Sequence, residues 1–70
     1  MQQPPEQQSA TDKVVRALAI QARILQFQTN ILVDLQDPKL PVPVRFKQIR
    51  QHQGKIGTLC RELEKLSRQP

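Results

Sequence analysis

Residues 11–36 read TDKVVRALAIQARILQFQTNILVDLQ, and the spacing of apolar positions in that stretch decides the fold. It holds neither Pro nor Gly, and its apolar residues return at steps of three and four, the period of one helix face. A helix of roughly 36–39 Å is predicted, at about 1.5 Å per residue. Ser9, Thr11 and Asp12 mark its start, because their side chains accept bonds from the free N–H groups of a first turn. Pro38 closes it, since the residue before a proline avoids the α region. Asp34 and Asp37 sit badly against the negative end of a helix dipole, so both read as solvated residues of the cap region.

The width of the apolar surface is the most informative feature of this helix. Residues placed at about 100° per step fall into two stripes. One holds Ala17, Ile20, Ile24, Phe27, Ile31 and Leu35. The other holds Val14, Leu18, Leu25 and Leu32, with Val15, Ala22 and Val33 at its margin. Gln21 and Gln28 lie between them. Together the stripes span about 240°, more than one neighbouring helix covers. Glutamines inside an apolar seam cost stability but fix register and oligomeric state. The other reading of Gln21 and Gln28 is that they lie over the seam's edge with their amides in water.

Downstream, Pro38, Pro41 and Pro43 stiffen a link near 37–43, short enough for a helix–helix connection in a compact domain. Pro43 suits the first position of a second helix, where its missing N–H costs nothing. That helix is expected to run to Ser67. Ile49, Ile56 and Leu63 are spaced by seven, and His52, Leu59 and Leu66 follow each by three, giving a heptad seam with one polar member. Gly54 and Gly57 weaken it by about 1 kcal/mol each relative to Ala. Either another backbone approaches closely at the glycines, or the helix breaks there. The seam keeps its phase across both, which favours a continuous helix. Residues 1–9, rich in Gln and Pro, are expected to be a disordered lead-in, 10–68 a helical hairpin domain, and 69–70 a frayed tail.

The fold class expected is all-α: an antiparallel two-helix hairpin completed by oligomerisation or a partner chain. The alternative is a small three-helix bundle with a break near Gly54–Gly57, whose third helix would cover the second stripe. Seventy residues bury only about 60% of the surface their unfolded form exposes, so a chain of this size needs outside support. A single cysteine forms no internal disulfide, and one His with one Cys does not complete a tetrahedral zinc site. That leaves a partner or a second copy.

Several function classes are excluded on the residues. Met1 to Gln8 lacks both a basic and an apolar segment, so it is not read as a secretory signal, and an intracellular chain, nuclear or cytoplasmic, is expected. The longest run of large apolar residues, Ile31-Leu32-Val33, is far too short to span a membrane. The basic stretch and the apolar stripes lie on different helices, which argues against a membrane-surface helix. His52 and Cys60 are eight apart, about 12 Å of helical rise, so they do not form a thiol–base pair on one helix. Glu62 and Glu64 face different directions. Gly54-Lys55-Ile56-Gly57 has the spacing of the KH-domain tetrapeptide, but that domain needs strands and none are readable. No catalytic constellation, metal site, cofactor or small-molecule site is expected.

Two binding roles remain. The first is a non-enzymatic assembly subunit that docks the first helix on a helical partner or on itself, through Leu18, Gln21, Leu25, Gln28 and Leu32, while Ala17, Ile20, Ile24, Phe27 and Ile31 pack on Ile49, Ile56, Leu59, Leu63 and Leu66. The wheel alone leaves the two stripes interchangeable. The second is a basic module contacting nucleic-acid phosphates without sequence preference. The net charge is +5, and from Pro38 to Arg61 there is no acidic residue. Arg45, Lys47, Arg50 and Lys55 are its candidate phosphate contacts. Two Phe and no Trp or Tyr leave almost no platform for stacking bases.

Overall fold

The computed structural model describes residues 5–69, with side chains from Ser9 onward. It contains two helices, α1 (Pro5–Gln36) and α2 (Val42–Arg68), and among the described residues no strand. They pack side by side as an antiparallel hairpin whose Cα atoms span 55 × 23 × 8 Å. The smallest extent shows a single layer of helices.

α1 starts earlier than its sequence signals suggest. The lead-in expected over 1–9 is helical from Pro5, and Met1 to Pro4 lie outside the described residues. Proline is compatible with a first helical turn, and glutamine has good helix propensity, so nothing in residues 5–8 resists extension. Ser9, Thr11 and Asp12 therefore sit inside the helix rather than at its cap. At the other end α1 stops at Gln36, and Asp37 to Leu40 form a turn in which the Asp37 carboxylate accepts a bond from the Lys39 N–H at 2.9 Å.

Pro41 is the residue before α2, so Pro43 falls at the second helical position rather than the first. α2 has no side-chain cap and no acidic residue in its first turn. It runs unbroken through Gly54 and Gly57 to Arg68, which removes the three-helix alternative. No close backbone approach explains the glycines within this chain. A Cβ at Gly54 would meet nothing within 4 Å, and one at Gly57 would meet only the Arg61 guanidinium at 3.7 Å. Nothing in the hairpin accounts for either glycine. Gln69 follows α2 in an extended conformation, its N–H bonded to Leu66 O, and Pro70 lies outside the described residues.

The hairpin buries the Ile24 stripe. Ile24, Ile49, Leu59 and Leu66 form its centre, with Ala17, Ile20, Phe27, Ile31, Ile56 and Leu63 half-buried around them. Antiparallel register is visible in the cross-helix contacts. The Lys13 ammonium reaches Gln69 O at one end, Lys55 Nζ stands 5.3 Å over the Phe27 ring in the middle, and Asp34 meets His52 nearer the link. Leu35, expected on the inner stripe, is 47% exposed. It lies at the edge of that stripe nearest the open one, and the inward place at this level is taken by Asp34.

Asp34 is thus not a solvated cap residue. Its Oδ2 accepts a hydrogen bond from His52 Nε2 at 3.1 Å, with both side chains mostly covered. A carboxylate only accepts, so the imidazole proton is assigned to Nε2. His52 stacks obliquely beside Phe27, the ring centroids 6.0 Å apart. The polar member of the α2 seam is therefore met by a polar residue of α1.

Candidate protein interface

Among the described residues, the second stripe of α1 has no neighbour. Leu18, Leu25 and Leu32 are 64%, 54% and 57% exposed, and Gln21 and Gln28 are exposed between them. Val14, Val15, Val33 and Leu35 extend the same open face. α2 packs on the Ile20–Ile24–Phe27 side of α1, and a single layer has nothing to place on the other. All five residues expected at a partner surface lie together on this face. The sequence reading passed over Val14 and Leu35 as partner residues. Their spacing from Leu18 and Leu32, four before and three after, was the signal that joins them to the strip.

A second exposed apolar group went unread. Val42, Val44 and Phe46 are open at the start of α2. They stand outside its heptad seam, which is how the sequence marks them. Phe46 lines a shallow depression with Pro43, Lys47, Arg50 and Gln51.

The four basic residues do not act as one set. Arg45 is half-buried, and its Nη2 donates to Asp37 O at 2.7 Å and to Leu40 O at 3.0 Å. It ties down the link carbonyls. α1 has no basic residue in its own last turn, so Arg45 supplies from across the link the cation that a helix C-terminus favours. Lys55 lies over Phe27. Lys47 and Arg50 are exposed and next to the depression.

Cys60 is exposed while His52 faces Asp34. Among the described residues no group of three or more His, Cys, Asp or Glu side chains could hold a metal ion, and no helix is long and apolar enough to cross a membrane. Comparison with protein-family models, with curated proteins and with solved structures gives no match.

Proposed function

We propose that this chain is a non-enzymatic assembly subunit whose α1 docks a helical surface through Leu18, Gln21, Leu25, Gln28 and Leu32. The observation carrying this reading is the exposure of three leucines, more than half open each, along one charge-free line of a helix whose other side is already packed. Monomers ordinarily leave only a few hundred Å² of contiguous apolar surface open, and larger patches mark interaction sites. Covering four or five large side chains at about 1.5–3 kcal/mol each contributes of the order of 10 kcal/mol before ordering and association costs. That is comparable with the whole stability of a small domain, about 5–15 kcal/mol. An exposed, unpaired Cys60 suits a reducing compartment inside the cell.

Leu25→Glu tests the reading, because Leu25 lies outside the hairpin core. The unmodified chain is expected either to associate or to bind an apolar dye, and the variant to lose that property while keeping its circular dichroism. An unmodified chain that stays monomeric at high concentration, unfolds cooperatively and binds no dye would overturn it.

A second reading is supported by the depression that joins Phe46 to Lys47 and Arg50: contact with nucleic-acid phosphates through those two, while Lys55 lies over Phe27 and Arg45 is engaged in the link. Titration with a polyanion at two salt concentrations tests it. Strong salt dependence, reduced in Lys47→Gln and Arg50→Gln, is the expected result, and no binding at low salt removes it.

A further inference from the structure

The open face of α1 has a register of its own. Leu18, Leu25 and Leu32 form one line. Val14, Gln21, Gln28 and Leu35 form a second, each four residues before or three after a leucine of the first. Alternating steps of four and three are the repeat of a coiled-coil seam, the leucines taking one set of core positions and the Val–Gln–Gln–Leu line the other. All seven side chains are exposed. The seam runs from Val14 to Leu35, about 32 Å at 1.5 Å per residue.

The two glutamines restrict what this seam can meet. Antiparallel pairing of two such seams sets each line opposite the other line. Every Gln would then face a Leu, and four carboxamides would be buried against apolar groups. A parallel pairing shifted by seven residues brings Gln21 to Gln28 of the other copy once, and leaves the other two glutamines against Val14 and Leu35. A parallel pairing in register brings Gln21 to Gln21 and Gln28 to Gln28. Each amide N–H then donates to the carbonyl oxygen of its counterpart. This is the one arrangement of two identical seams that leaves no carboxamide unpaired, and an unpaired buried amide carries its full desolvation cost. Polar side chains at single core positions set register and strand number in the same way.

Charge points the same way. The chain carries +5, yet no Lys, Arg, Asp or Glu falls on the seam. Arg16 and Arg23, the cations of mid-α1, line a depression with Ile20, Glu62 and Leu66 on another side of the hairpin. Two copies can therefore meet here without bringing like charges into contact. The residues beside the leucine line, Val15, Ala22 and Thr29, are small and uncharged, which lets a second helix approach closely. We infer that the occupant of the open face is a second copy of this chain, with α1 packed on α1, parallel and in register, and with Gln21 and Gln28 each bonded to its counterpart. This rests on the docking reading above and names its partner. The twofold axis would run along the two α1 helices, giving one isologous interface and a closed dimer.

The test uses the full chain carrying Cys60→Ser, so that introduced thiols are the only ones. Sedimentation equilibrium is expected to show a dimer. Val14→Cys and Leu32→Cys, placed separately near the two ends of the seam and on its opposite lines, are each expected to form a disulfide-linked dimer in oxidised glutathione. A mixture of the two variants is expected to give no Val14–Leu32 cross-product, the pair that antiparallel helices would bring together. A monomer at every concentration, still binding dye through the strip, would overturn self-pairing and leave docking on another protein standing. A dimer in which neither variant cross-links to itself, with or without the cross-product, is antiparallel or shifted and overturns the register. The double variant Gln21→Leu, Gln28→Leu removes the restriction, so cross-products are expected to appear in its Val14→Cys and Leu32→Cys mixture. An unchanged pattern would overturn the role given to the glutamines. Circular dichroism of each variant separates these results from loss of folding, and both cysteine positions lie outside the hairpin core.

Discussion

At the scale of single residues, polar side chains decide how well the two helices fit. Asp34 sits near the negative end of α1, where a carboxylate is disfavoured by about 0.3–1 kcal/mol at the surface. It is held there by the His52 imidazole at 3.1 Å. His52 Nδ1 is buried without a protein partner, so the imidazole depends on this bond. Truncating Asp34 alone would mix three effects: relief from the dipole, better helix propensity and the lost bond. A double-mutant cycle with Asp34→Ala and His52→Ala cancels the first two. Its coupling energy, from urea unfolding of the four proteins, is expected to be about 1 kcal/mol. A coupling near zero would mean that the contact contributes nothing. Arg45 is the other such residue. Arg45→Ala is expected to lower stability by about 2 kcal/mol, because two part-buried carbonyls lose a charged donor. Arg45→Lys should recover part of this, since both bonds come from one nitrogen, Nη2, and an ammonium also carries several N–H donors. Polyanion binding should change less in these variants than in Lys47→Gln or Arg50→Gln. The reverse order would return Arg45 to the phosphate-binding set.

At the scale of elements, α1 and α2 were legible because their apolar residues keep helical phase over many turns. Ile49, Leu59 and Leu66 were placed in the core by a heptad count alone, and all three are buried. What the count could not give was which α1 stripe faces α2. Both stripes are rich in leucine-sized residues, and the choice depends on three-dimensional fit: Asp34 against His52, and Phe27 between His52 and Lys55. Leu35 was misplaced for the same reason, since an ideal wheel has no knowledge of Asp34 turning inward. The start of α1 was misjudged because cap residues were read as a boundary, although Ser, Thr and Asp are also tolerated inside a helix that tertiary contacts support. Gly54 and Gly57 resisted reading from sequence and have no packing reason in the hairpin. The open space at Gly54 leads to a direct expectation. Gly54→Ala should stabilise the chain by about 0.5–1 kcal/mol, through helix propensity and a less flexible unfolded state. In thermal unfolding this is a rise of about 4–8 °C per kcal/mol for a domain of this size. A fall instead would mean that another chain packs against Gly54.

At the scale of the whole molecule, one layer of helices 8 Å thick between Cα extremes has to hold itself together on few buried side chains. Ile24, Ile49, Leu59 and Leu66 are the only buried hydrophobic residues among those described, and none of them is completely closed off from solvent. Domains are normally built from two packed layers, because each helix must bury a stripe against another element. α1 buries one stripe on α2 and leaves the other open, so a second layer would have to come from outside the chain. If that layer is a second copy, folding and association are linked, and the apparent stability follows protein concentration. Each tenfold increase in concentration is worth about 1.4 kcal/mol per dimer, or half that per chain. The midpoint of thermal unfolding should therefore rise by about 3–5 °C per tenfold. Leu25→Glu places a carboxylate at the centre of the seam and should abolish this dependence, with the largest loss of midpoint at the highest concentration. Gln51→Glu adds the same charge at an exposed position of α2, beside Arg50 and away from the strip, and should leave the dependence intact. A midpoint that ignores concentration in the unmodified chain would place its whole stability in the α1–α2 contact. The Leu18–Leu25–Leu32 line would then be surface that no second copy covers.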